Sequence, residues 1–228
     1  MEEEIFRSDS MDSTDTLQKC ILFKNLSGDS LAEALAFFHA QEKHYKKGAF
    51  LHRPGEPLGN FGLLLSGSVQ VYMNDFDGNM LIMASVSPGS TFAESLCYLK
   101  RNPAVYIRCM ADSDILVMDT RSLSEFHPDM SPVGCDMMRR FTQMLAERTL
   151  NLNSRIQTLS KLSIREKVIT LLSEYVTSEK SSTVSLPFNR EGMAAYLGVN
   201  QSALSRELSR MQQEGIIRFQ GNRFEILP

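Results

Sequence analysis

The sequence predicts an α+β chain: an antiparallel β-barrel or jelly roll, then a long helix, then a winged helix-turn-helix. Three observations predict it. After Lys47 a glycine appears every few residues, between short runs of Leu, Val, Ile, Tyr and Phe. From Ser131 onward an apolar series of near-heptad spacing runs without a breaker. The C-terminal part reads helix, glycine turn, helix, strand, turn, strand. The expected divisions are 1–130 for the barrel, 131–160 for the long helix and 161–228 for the winged domain.

Composition sets the outer bounds. An apolar fraction of 43% supports a real core. A formal net charge of −3 argues against coating nucleic acid along the whole surface, and leaves room for one locally basic head. Cys20, Cys97, Cys109 and Cys135 show no CxxC or zinc-ribbon spacing and read as buried, reduced, structural thiols. No metal site is expected. The start, "MEEEIFRSDSMDSTDT", lacks the basic and apolar regions of a signal peptide. No run approaches the roughly 18 apolar residues of a membrane span. A cytoplasmic protein is expected, with no membrane partner.

Residues 1–13 read as frayed. A short helical pattern covers Asp15 to Leu26, with Leu17, Ile21 and Leu22 on one side. Asp29 can cap a second helix carrying Leu31, Leu35 and Phe38. In the glycine-rich stretch "RPGEP", "SGS", "DGN" and "SPGS" are turns, because Gly supplies positive φ and Pro fixes φ. "SVQVYM" alternates as a half-buried strand does, and "VYIRCMA" and "DILVMD" are further strands. Short strands at close spacing suggest a barrel or jelly roll.

Ser131 and Pro132 suit the N-cap and first position of the long helix. Met138, Phe141, Leu145, Leu152, Ile156 and Leu159 form its stripe, interrupted by Arg148 and Arg155. The stripe spans about 28 residues, roughly 42 Å at the standard rise. One side of a small domain cannot cover that length, so a homodimer seam is favoured over core packing alone. "LSIREKVITLLSEYV" is a further amphipathic helix, "TSEKSSTVSLP" a polar loop leading into a short strand, and "GIIRFQGNRFEIL" a strand–turn–strand.

The segment "NREGMAAYLGVNQSALSREL" carries the chemistry. Asn189 caps a helix whose apolar side is Met193, Ala194 and Leu197. Gly198 makes the turn. Asn200 caps the next helix, which buries Leu204, Leu208 and Met211. Gln201, Ser202, Ser205 and Arg206 then face outward. Such a helix enters the major groove of DNA with its N-terminal end towards the bases. The planar fork of Arg206 matches O6 and N7 of guanine. Gln201 can read adenine or bond a phosphate, and the two serines can take base edges or phosphates. Arg190, Arg210, Arg218 and Arg223 stand against Glu191, Glu207 and Glu214, which makes the head locally basic. Backbone N–H groups at Asn189 and Asn200 can hold phosphates. The alternative is a winged helix that binds protein, or a helical hairpin with a solvated face.

These residues resemble the cyclic-AMP receptor protein/FNR superfamily of bacterial transcription factors. "GLLLSGSVQVY" is similar to its sensor-barrel strand pair, "PGSTFAES" to its Gly-x-x-Phe-Gly-Glu segment, and "NREGMAAYLGVNQSALSRELSRMQQEGII" to its helix-turn-helix. The resemblance covers about residues 15–227. It implies a cyclic-nucleotide-binding-like domain, a homodimer joined along the long helix, and a two-fold symmetric DNA site. By position Gln201, Ser202 and Arg206 become the main base readers. Many relatives have Glu where this chain has Ser202, so the half-site is expected to depart from the usual bases. Activating members also contact RNA polymerase.

The same resemblance bears on the effector. Cyclic-AMP binders present Gly-Glu and, about ten residues later, Arg-Ser. Here Ala93-Glu94 keeps the Glu, but Pro103 and Ala104 stand at the Arg-Ser place and cannot neutralise a phosphate. Cyclic AMP in its usual pose is therefore not expected. An iron–sulfur cluster needs several N-terminal cysteines, and only Cys20 precedes the barrel. Haem would need axial ligands from His39, His44, His52 or His127, which read as surface or turn histidines. A thiol switch at Cys97 or Cys109 lacks a basic neighbour facing the sulfur. What remains is a small organic effector, or none. Its pocket would be lined by Phe92, Glu94, Ser95, Ala104 and Tyr106, with Asn151 from the long helix. An enzyme is not expected, since no HExxH, GxSxG or phosphate-cradling GxxxxGKS motif occurs.

Overall fold

The computed structural model describes residues 11–74, 80–124 and 130–227, apart from the side chains of 11–13. The chain divides into two compact units, Met1–Leu145 and Ala146–Pro228. The division falls inside the long helix, not at either of its ends.

The first unit opens with α1 (Met11–Lys19) and α2 (Gly28–Phe37). The helix starts earlier than the pattern predicts, at Met11, and stops at Lys19. Beyond it the Cys20 carbonyl accepts from the amides of Phe23 and Lys24, which closes the chain into turns. Ser27, not Asp29, caps α2; its amide donates to Ser30 Oγ at 3.3 Å, while Asp29 lies in the first turn.

Eight strands follow: β1 (Gln41–Tyr45), β2 (Phe50–His52), β3 (Phe61–Ser66), β4 (Val69–Asn74), β5 (Met80–Val86), β6 (Thr91–Phe92), β7 (Tyr106–Cys109) and β8 (Ser113–Met118). The short helix α3 (Glu94–Tyr98) separates β6 from β7, and α4 (Arg121–Ser124) follows β8. The strands make two antiparallel four-stranded sheets, ordered β1-β8-β3-β6 and β2-β7-β4-β5. The jelly-roll expectation holds, but no closed barrel forms. β6 is only two residues long and turns directly into α3, so no strand bridges the two sheets there. The predicted "DGN" turn lies outside the described residues.

The central strand β3 of the first sheet is buried on both faces, which explains its unbroken apolar run Phe61–Leu65, while the edge strand β1 is exposed. Leu64, Val69, Ile107, Cys109 and Ile115 fill the space between the sheets. Leu63, Leu65, Leu116 and Met118 face the helices, where Leu17, Phe23, Phe38 and Phe141 pack. Gly62 is required on this sheet: a Cβ there would meet the Phe92 ring at 2.2 Å. The second sheet keeps one open face. Its edge strand β5 exposes Met80, Leu81, Ile82 and Met83 in succession, each more than half accessible.

Cys20, Cys97 and Cys109 are buried, and burial raises each thiol above its usual pKa, that of Cys20 to about 11. Cys135 departs from the expectation of buried thiols and is exposed. It sits at the outward side of the first turn of α5 (Pro132–Leu159), while Met137 points into the core. Ser131 accepts from Gly134 N at 3.0 Å, as its N-cap role requires.

The second unit holds the rest of α5, then α6 (Ile164–Glu179), β9 (Thr183–Ser185), α7 (Arg190–Leu197), α8 (Gln201–Gln213), β10 (Ile217–Gln220) and β11 (Arg223–Ile226). Ser163 and Glu166 cap α6 reciprocally, each bond 3.1 Å. Strands β10, β11 and β9 form a three-stranded antiparallel sheet. Its Val184, Ile217 and Phe224 close over Leu171, Leu172, Leu197, Leu204 and Leu208.

One carboxylate ties three strands of the first unit. Asp114 on β8 accepts from Ser66 Oγ of β3 at 2.6 Å and pairs with His44 Nδ1 of β1 at 2.7 Å. The Ser66 hydroxyl and then His44 hold its carboxyl below the usual range. A depressed folded pKa stabilises fully above the unfolded carboxylate value of about 4, and the gain is lost as pH falls through the folded value. Asp114→Asn is therefore expected to lower stability at neutral pH and to flatten its acid-side decline, measured by urea denaturation across the acid range.

Candidate nucleic-acid interface

The interface is built on a turn that only a few residues allow. Gly198 ends α7 at φ +62°, the left-handed region, and its amide bonds back to Ala195 O at 3.3 Å. Leu159 Cδ2 would lie 3.2 Å from a Cβ at this position. Lys167 Nζ donates to Leu197 O at 3.1 Å and satisfies a carbonyl at the end of α7. Asn189 accepts from Gly192 N at 2.9 Å and caps α7 as expected.

Asn200 then starts α8. Its Oδ1 accepts from the amides of Ser202 at 2.9 Å and Ala203 at 3.4 Å. Ser202 Oγ lies 2.7 Å from the same oxygen. An atom that accepts two N–H groups is the amide oxygen, so the Ser202 hydroxyl must donate to it. What Ser202 still offers outward is an acceptor. Leu204, Leu208 and Met211 are buried, which turns Gln201, Ser202, Arg206 and Arg210 to the exposed side. Among the described residues Gln201 and Arg206 have no recorded side-chain hydrogen bond or ion pair. Ser205 is half-buried.

The charges around α8 are not distributed as the composition suggests. Arg165 of α6 reaches Glu207 at 2.7 Å and Glu214 at 2.7 Å. These two bonds push the guanidinium pKa up and draw that of Glu214 down. The acids of α8 are thus answered from another helix, and Arg206 and Arg210 set the sign of its outer face. Arg165 escapes sequence reasoning because it lies 42 residues from Glu207.

Arg190, expected among the DNA contacts, is half-buried. Its guanidinium lies 4.9 Å from the Phe219 ring centre and 5.4 Å from that of Phe224, and it donates to Gly221 O at 3.3 Å. It ties α7 to the wing. Arg218 pairs with Glu225 at 3.0 Å, whereas Arg223 is exposed.

Within the first unit the expected effector residues do not line one cavity. Phe92 lines an inter-sheet cavity of about 140 Å³ with Leu51, Ile107, Ile115 and Lys43. Glu94 is fully buried at the start of α3, while Ser95 and Ala104 are exposed. Tyr106 stacks on Tyr72, ring centres 5.1 Å apart, on the outer face of the second sheet. Strand alternation decides this: Ile107 and Cys109 point inward, so Tyr106 and Arg108 point out. Asn151 is exposed on the α5 stretch of the second unit. Pro103 and Ala104 do not line the cavity. His39 and His44 pair with Asp119 and Asp114, and His52 is buried; His127 lies outside the described residues. Among the described residues no group of three or more His, Cys, Asp or Glu could hold a metal. Nor is any described helix long and apolar enough to cross a membrane.

On the stripe of α5, Phe141 is buried against Phe38 and Phe61, and Met138 and Leu145 pack on the same core. That half serves its own unit. Leu152, Ile156 and Leu159 are exposed, together with Leu150.

Residues 42–128 match the family model of the cyclic nucleotide-binding domain, and residues 166–227 match that of the Crp-like helix-turn-helix domain. The chain belongs to the CRP/FNR superfamily. It is 19% identical over 189 residues to the CRP-like protein Clp of Xanthomonas euvesicatoria pv. vesicatoria, covering 80% of this chain and 82% of that one. Among solved structures it is similar to the c-di-GMP responsive global regulator CLP of Xanthomonas campestris, with TM-score 0.55, 18% identity, and 87% and 98% of the two chains covered. It is also similar to CprK complexed with OCPA, with TM-score 0.61, 16% identity, and 87% and 91% covered. At this identity the two structures carry the fold. The paired domains make this CRP/FNR member a DNA-binding transcription regulator.

Gly198→Ala is expected to destabilise the second unit by about 1–2 kcal/mol, the cost of the left-handed conformation for an L-residue. Thermal unfolding read from the helices of that unit measures it.

Proposed function

We propose that two copies of the chain pair along the distal half of α5 and set their α8 helices in successive major grooves of a palindromic operator. Gln201, Ser202 and Arg206 read bases, and Ser205, Arg210 and the backbone at Asn189 and Asn200 hold the phosphate frame. The observation that carries this reading is the outer face of α8: a guanidinium and an amide with no recorded partner, beside a serine whose hydroxyl proton is already committed to Asn200.

That commitment sharpens the base preference. A hydroxyl that has spent its proton accepts, so the base opposite Ser202 presents a major-groove amino group, from adenine or cytosine. Arg206 selects guanine. Arg190 acts indirectly by tying α7 to the wing.

The exposed apolar strip of Leu152, Ile156 and Leu159 supports the pairing, since a strip of this kind is normally covered. Half-sites one helical turn apart, about 34 Å, follow from the two-fold symmetry. RNA polymerase is a further partner for such a regulator. An effector in the sensor unit gates binding only if it prefers the DNA-competent dimer over the alternative.

Two variants test the reading. Arg206→Ala is expected to cost about 1–3 kcal/mol at the selected operator and to relax the guanine preference, with thermal stability unchanged. Binding-site selection followed by mobility shift measures both, and equal binding by the two proteins to every fragment rejects base reading at Arg206. Ile156→Glu is expected to convert the dimer to monomer in sedimentation and to abolish operator binding. Because Ile156 is 62% exposed in the single chain, its fold survives the change.

A further inference from the structure

A second hollow in the sensor unit lies outside the space between the sheets. It measures about 520 Å³ and is bounded by the β2–β3 connection, the region of Cys97 to Asn102, and the segment Asp119–Ser124. Ligand pockets run to about 300–1,000 Å³. The outer hollow falls in that range, and the inter-sheet cavity of about 140 Å³ falls below it. The two share one wall, Pro57 to Asn60.

The outer hollow has an apolar floor of Pro57, Leu58 and Cys97. The floor is held in place: Cys97 Sγ donates to Gly59 O at 3.2 Å and lies 3.6 Å from Thr120 Oγ1. The rim is polar, and its charges do not cancel. Asp119 accepts from Arg121 Nε at 2.9 Å and from the Arg121 amide at 3.0 Å, and it pairs with His39 Nδ1 at 3.2 Å. The carboxylate is answered within the protein. Lys100, held at φ +51°, gives its backbone N–H to Cys97 O at 3.1 Å, while its side chain makes no hydrogen bond or ion pair among the described residues. One uncommitted ammonium therefore belongs to the lining, as does the Asn102 amide.

We propose that this outer hollow binds a small organic anion, its carboxylate on Lys100 and its apolar body on Leu58, Pro57 and Cys97. The site takes no nucleophilic part, because its thiol is buried. It has a direct physical link to α5. The shared wall runs into Phe61, and the helix that carries Cys97 ends at Tyr98; both rings pack on Phe141 of α5, with centres 6.0 and 5.9 Å away. An occupant that stiffens this wall bears on the helix that continues into the second unit.

The test uses the full chain without DNA, so its outcome is separate from that of operator reading. Isothermal titration with 4-phenylbutyrate, octanoate and indole-3-acetate is compared with titration of their neutral amides. At least one carboxylate is expected to bind saturably with one site per chain, about tenfold tighter than its amide. Lys100→Gln is expected to erase that preference and leave the amide unaffected. Asn102→Trp, which fills the mouth from an exposed position, is expected to abolish both. Both substitutions are on the surface, and matching melting curves verify the fold. Failure of all three carboxylates to bind wild type at millimolar concentration overturns the proposal. So does wild-type affinity in both variants.

Discussion

The apolar stripe of α5 runs on past the core that its first half closes, and much of the architecture follows from that mismatch. Its proximal half is used up: Phe141 sits among Phe38, Phe61 and Tyr98, and Met144 is buried beside Thr91. Its distal half keeps Leu152 and Ile156 in water. Burying an aliphatic side chain stabilises by about 1.5–3 kcal/mol, so a strip of several such residues is a strong drive towards a partner. The same helix thus closes one hydrophobic core and leaves its distal apolar residues exposed.

The second unit meets a different constraint, that of making a basic face in a chain with more acids than bases. It does so by moving the neutralisation elsewhere. Arg165 takes both Glu207 and Glu214, and Arg218 takes Glu225. Arg190, half-buried, holds the wing by its aromatic rings. Arg206 is left pointing outward without opposition. Net charge counted along the sequence says little about this, because the field at a surface depends on which charges are already paired in space.

The helix-turn-helix was legible almost residue by residue, since its determinants are local. A left-handed glycine, two asparagine caps and a four- and three-residue apolar spacing each act within one turn of chain. The jelly roll was legible from its turns, though the closed barrel was not what formed. Non-local features were hidden. Arg165 carries no mark of its target. Tyr106 reads equally well as facing in or out until the parity of β7 is set by Ile107 and Cys109. Phe141 belongs to the same heptad series as Leu152, and only packing separates their fates. The cap of α2 moved from Asp29 to Ser27 because either residue type can end a loop.

The apolar edge of β5 has a consequence for the molecule in solution. Met80, Leu81, Ile82 and Met83 stand exposed along a strand whose outer backbone groups have no neighbouring strand within the sheet. Natural edges are blunted by lysine, proline or a bulge; this stretch contains neither lysine nor proline, and its one such device is the register break at Met83, opposite Val71 and Tyr72. Chains crowded together can add strand to strand there, forming a continuous sheet that involves neither the helices nor DNA. Colloidal behaviour at high concentration is then governed by a few residues far from the recognition helix, and a lysine placed on that edge is the change that would keep the protein dispersed.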